Sequence, residues 1–153
     1  MLNKLFFSLL LTMSALYAGE IKIIDSYVRA VPPNVPNSAA FMQIQNLADR
    51  PLTLLSVTSD EAKNVELHEH VMDGQMMKMQ QVHAIPLLPK TTTSLKPGGY
   101  HIMLLGLNHP LKEGTFVSLL LHFSNNETVA IEAPVTSVMS GMKMQKNHPG
   151  MQP

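Results

Sequence analysis

At 153 residues the chain is long enough for one domain with a packed core and too short for two. Eleven Lys+Arg balance eleven Asp+Glu, and without a basic stripe to neutralise phosphates, nucleic-acid recognition is excluded. The complete absence of cysteine excludes a disulfide framework, a thiol nucleophile and any thiolate metal site.

The first eighteen residues hold one basic residue, Lys4, then an apolar run from Leu5 to Leu16 and a small-residue end at Ala15-Leu-Tyr-Ala18. This is the layout of a secretory leader. Its apolar body is too short to span a bilayer, and no later segment supplies the roughly 20 continuous apolar residues a membrane helix needs. Residues 19–135 are expected to form the mature domain; removal of residues 1–18 takes Lys4 away and leaves ten Lys+Arg against eleven Asp+Glu over residues 19–153. Residues 136–153 carry Ser140-Gly141 and Pro149-Gly150 with little to bury, and are expected to form a flexible tail.

Between these ends, nine short segments rich in Val, Ile, Leu, Thr or aromatic residues read as strands. They are Ile21 to Val31, Ala39 to Gln45, Leu52 to Thr58, Val65 to Val71, Met76 to Val82, Thr91 to Leu95, Tyr100 to Leu105, Thr115 to Phe123 and Thr128 to Val135. Turn signals separate them, among them Pro32-Pro33-Asn34, Asp73-Gly74, Pro97-Gly98-Gly99 and Ser124-Asn125-Asn126. Many short strands with no sustained helical period imply an all-β sandwich or barrel. The last two strands are expected to form a hairpin.

One pattern of side chains stands out against this background. His68 is followed after ten intervening residues by Met79, then after twenty-one more by the pair His101-x-Met103. Imidazole and thioether together are a soft, uncharged donor set that suits Cu(I), and zinc gains little from neutral sulfur. On a strand, His101 and Met103 project from one face about 6–7 Å apart, so other strands must complete a site. A hairpin at Asp73-Gly74 would bring His68 and Met79 back toward each other. Met77 shares strand parity with Met79 and is a candidate spare thioether, whereas Met72 and Met76 are expected to fill gaps in the core. His70 shares a face with His68; assistance to Cu(II) and simple solvation are both open to it. His83, His109 and His122 have no partners at ligand spacing. Catalysis is unsupported: there is no G-x-S-x-G elbow, Walker loop or H-E-x-x-H pair, and His68-Glu69-His70 is too close-packed for helical zinc ligation.

The segments His68-Glu-His-Val-Met-Asp-Gly-Gln-Met-Met-Lys-Met79 and Pro97-Gly-Gly-Tyr-His101-Ile-Met103 resemble the periplasmic copper chaperones of the PCuAC family, whose signature is H-x10-M-x21-H-x-M. The likeness runs from about Ile21 to Val135. It implies a single cupredoxin-like Greek-key β-sandwich in the periplasm, binding Cu(I) through His68, Met79, His101 and Met103, with Cu(II) as a further ion. It also implies delivery to the dinuclear copper centre of cytochrome c oxidase, through subunit II or a thioredoxin-like copper chaperone. Family members commonly have Met two residues after the first His, where this chain has His70. The tail residues Met139, Met142, Met144, His148 and Met151 resemble Met/His-rich extensions that take up additional copper, which leaves copper storage or resistance as the alternative role.

Overall fold

Burial alternates with a period of two from Phe116 to Phe123, while Met76–Gln81 is exposed at every position. The computed structural model describes residues 19–137; the expected leader over 1–18 and the tail residues Met139, Met142, Met144, His148 and Met151 lie outside the described residues. Ten strands follow in order: β1 (Ile21–Arg29), β2 (Asn37–Asn46), β3 (Leu52–Thr58), β4 (Ala62–Asp73), β5 (Met76–Gln81), β6 (Ile85–Leu87), β7 (Thr92–Leu95), β8 (His101–Leu107), β9 (Phe116–Phe123) and β10 (Thr128–Thr136). Nine match the expected segments. The tenth, β6, centres on Pro86, which cannot donate to a ladder and so hid the strand; it is tolerated because β6 lies at a sheet edge, paired only with β3. Among the described residues no helix is long and apolar enough to cross a membrane.

Pairing runs β5-β4-β8-β2-β1 on one side, with β7 also on β2, and β10-β9-β3-β6 on the other. The two sheets join where β1 and β10 run parallel, with Val28 opposite Val135 and Arg29 opposite Thr136. Every other pairing is antiparallel. Val117, Leu119, Leu121 and Phe123 of β9 pack inward against Ile102 and Leu104 of β8, Ile44 of β2, Leu54 of β3 and Leu67 of β4 in one continuous core. The result is the expected all-β single domain. β9 and β10 form the expected hairpin, from Thr128 opposite His122 to Pro134 opposite Phe116.

This alternation decides where chemistry can sit. Ile102, Leu104 and Leu67 occupy the core face of β8 and β4, so the residues between them, His101, Met103, Glu66 and His68, must lie on the outer face of the same sheet.

At the far end of β2 from these residues, one buried amide holds three chain segments together. Asn46 is fully buried; its Nδ2 donates to the carbonyls of Arg50 (2.9 Å) and Leu87 (3.0 Å), and its Oδ1 accepts from the Ala48 N–H (2.9 Å). Asn46→Ala leaves those backbone groups buried and unpaired, and is expected to lower unfolding free energy by about 3 kcal/mol. Urea denaturation of the variant checks this, and an unchanged midpoint would show that water replaces the amide at no cost.

Candidate metal centre

Three adjacent strands deliver the candidate ligands. β4 lies between β5 and β8, with His68 directly opposite His101 on β8. Across the hairpin it is His70 that faces Met79, while His68 faces Gln81. Directly opposed residues and residues two apart share a face, so His68, His70, Met79, His101 and Met103 all project from the outer face of the sheet. The turn enforces this register. Asp73 and Met76 pair around a two-residue loop whose first position, Gly74, has φ +66°, the conformation a type II′ turn requires of glycine. A slip of one residue would turn Met79 away and present Lys78 in its place.

The His101 ring is almost fully buried although it lies on the outer face of the sheet, because Phe41 of β2 and the loop before β8 enclose it. The Phe41 and His101 ring centroids are 6.3 Å apart, and the guanidinium of Arg29 lies 5.3 Å from the Phe41 ring centre. A cleft of about 400 Å³ opens here, lined by Arg29, Phe41, His70, Met79, His101 and Met103. Met103 reaches the cleft over Ala39, its neighbour on β2, whose small side chain leaves room for the thioether.

The hydrogen bonds fix which ring nitrogens are available. His101 Nδ1 lies 3.0 Å from the Gly99 carbonyl, which can only accept, so Nδ1 carries the proton. Burial holds His101 below the ordinary histidine range, reinforced by His70, His68 and Arg29 and partly opposed by the Gly99 hydrogen bond. The ring is therefore neutral at neutral pH, and its Nε2 presents a bare lone pair. That Nε2 lies 3.1 Å from Met79 Sδ, an atom with lone pairs and no hydrogen. Two electron-pair donors face each other with nothing to share between them, which is the arrangement a soft cation completes.

His68 is oriented the other way. Its Nε2 lies 2.8 Å from Glu66 Oε2, so Nε2–H donates to the carboxylate and Nδ1 is left bare. His68 Nδ1 and His70 Nδ1 are both buried without a hydrogen-bond partner. The His68 and His70 rings lie 5.8 and 5.0 Å from that of His101, centre to centre. Among the described residues no three His, Asp or Glu side chains form a group that could hold a metal.

His83 is exposed after β5, His109 pairs with Glu61, and His122 contacts Thr58 on the other sheet at 3.4 Å; none reaches the cleft. One expectation is overturned. Met72 and Met76 do not fill the core; they are 64% and 75% exposed, because Met76 lies on the edge strand β5, whose six residues are all exposed, and Met72 lies on the end of β4 beyond His68, its last residue paired with β8. Sequence reasoning also passed over Glu66 as the partner of His68, although strand parity alone places it on the ligand face.

The two rings should show opposite tautomers. In long-range ¹H–¹⁵N spectra near pH 8, His68 is expected as the Nε2–H form and His101 as the Nδ1–H form. Glu66→Ala should convert His68 to a tautomer mixture and leave His101 unchanged; no response of His68 would remove Glu66 from its orienting role.

Comparison with known proteins places the chain in a family. The family model described as "Putative lipoprotein LpqE-like" matches residues 21–135. "Putative lipoprotein Lxx21020" of Leifsonia xyli subsp. xyli is 32% identical over 119 residues, covering 77% of this chain and 70% of its own length. Among solved structures, a copper-bound PCuAC domain from PmoF2 superposes with a TM-score of 0.68 at 29% identity, over 79% of this chain and 97% of that one. The Cu(I) form of DR1885 from Deinococcus radiodurans gives 0.66 at 29% identity, over 84% and 86%. The chain belongs to the LpqE-like family, and its fold is that of the PCuAC domain.

Proposed function

We propose that this protein is a copper carrier working outside the cytoplasm, holding one Cu(I) through His101 Nε2, His68 Nδ1 and the thioethers of Met79 and Met103. The observation that carries the reading is the bare His101 nitrogen facing Met79 sulfur at 3.1 Å. The copper-bound and Cu(I)-bound titles of the two similar structures support the choice of ion, and the lipoprotein description of the family supports the location. The 153 residues contain no cysteine to which lipid could be attached.

Delivery follows from the asymmetry of the site. His101 is buried and held by a hydrogen bond to the Gly99 carbonyl, while Met79 is 45% exposed on an edge strand. An acceptor's ligands can therefore enter on the sulfur side and displace Met79 before the imidazoles let go. No covalent bond is made or broken and copper keeps its oxidation state, so the role is transfer and not catalysis. The acceptor we propose is the dinuclear copper centre of cytochrome c oxidase, reached through subunit II or a thioredoxin-like copper chaperone. Storage is the competing reading, favoured by the exposed methionines beside the site; it predicts several ions per chain and no transfer to an apo acceptor.

Met79→Leu with Met103→Leu keeps apolar volume nearly constant, so the fold should survive. Anaerobic competition against a Cu(I) chelator should then show affinity reduced at least roughly a hundredfold. Parent-like affinity in that double variant would falsify the ligand set.

His68→Ala and His101→Ala should weaken Cu(I) binding far more than His83→Ala or His109→Ala. Equal losses across the four would indicate diffuse surface binding in place of a built site.

A further inference from the structure

The tip of the β4–β5 hairpin carries chemistry that the inner site does not use. Met72 and Met77 face each other directly across the hairpin, one step outward from the His70–Met79 pair and on the same face. They are 64% and 59% exposed. An exposed hairpin tip, with Met77 on the edge strand and Met72 on β4 beyond its pairing with β8, gives methionine neither packing nor the benefit that β-branched and aromatic residues bring, so no structural role accounts for the pair. Between this pair and the inner site stands His70. It lines the cleft, its ring is 5.0 Å from that of His101, and its buried Nδ1 has no partner.

We propose that Met72 and Met77, with His70 as the shared ligand, form an outer Cu(I) post through which the ion enters and leaves the inner site. Cross-strand neighbours lie about 4.5–5.5 Å apart at Cβ and flexible thioethers close that gap around one ion, while successive same-face positions are about 7 Å apart. The outer post is thus one strand step from Met79. Transfer is ligand exchange: a His70 nitrogen joins the two sulfurs, Met79 and His101 replace the sulfurs, and His70 releases the ion inward. Copper stays cuprous throughout, and the thioethers have no proton to lose. Met76 lies on the opposite face of β5 and takes no part.

The proposal rests on the inner-site reading, and one experiment separates the two. The full chain, labelled with ¹³C at the methionine methyls, is titrated anaerobically with Cu(I) supplied as its acetonitrile complex. The first equivalent should shift Met79 and Met103, and the second should shift Met72 and Met77 while Met76 stays still. In a Met72→Leu, Met77→Leu variant, whose changes are exposed and apolar, the first-equivalent shifts should persist and loading from a chelator complex should slow. Met72 and Met77 unmoved through two equivalents would overturn the outer post and leave the inner site standing. Met76 moving with them would equally overturn it, by showing indiscriminate thioether binding. Met79 and Met103 unmoved at the first equivalent would overturn the inner site and the post with it.

Discussion

A contact between residues on two strands that never pair with each other organises this molecule's chemistry. His101 belongs to β8 and Met79 to β5, with β4 between them, yet the imidazole nitrogen and the thioether sulfur meet at 3.1 Å. The meeting requires two registers to be right at once, His68 against His101 and His70 against Met79. The first is held by core packing of Leu67 against Ile102 on the opposite face, since a one-residue slip would bury histidine and expose leucine. The second is held by the glycine turn and by the hairpin's own hydrogen bonds, among them Gln80 Nε2 donating to Glu69 Oε1 across the strands at 2.9 Å, because β5 has no buried face. His68, His101 and Met103 therefore inherit the rigidity of the core, and Met79 has only the stiffness of a hairpin.

Electrostatics favour a singly charged ion in this setting. The proposed donors are neutral, so an ion held there keeps its whole charge in a half-enclosed cleft lined by Arg29. Glu66, hydrogen-bonded to His68, offers a nearby negative charge in compensation, while the placement of Arg29 over Phe41 satisfies its guanidinium against the ring face. A divalent ion would face the same wall with twice the charge and no carboxylate ligand, which adds to the preference that thioethers already express.

Much of this was legible in the chain. The apolar alternation of Phe116 to Phe123, with Thr128 to Val135 after it, announced a hairpin, and Asp73-Gly74 announced the turn that returns Met79 toward the histidines. Parity alone put His101 and Met103 on one face. Less legible was anything that depended on the edge of a sheet. Met72 and Met76 look like core fillers because methionine usually is one, and only the strand pairing reveals that β5, which carries Met76, has no neighbour on its far side and that β4 runs on to Met72 beyond its pairing with β8. β6 escaped because three residues around a proline carry almost no signal. The burial of His101 was also invisible, since it arises from Phe41, which is distant in sequence, and from the Gly99 carbonyl.

The methionines form a graded series, from Met42 sealed in the core, through Met103 in the cleft and Met79 at its rim, to Met77, Met72 and Met76 in open solvent. Thioethers outside the cytoplasm meet oxidants, and each one converted to a sulfoxide becomes polar and ceases to be a soft donor. Accessibility sets the order of attack, so damage runs from the hairpin tip inward and consumes the outer thioethers before the two in the cleft. The exposure of the hairpin tip therefore surrounds the cleft sulfurs with thioethers that an oxidant meets first.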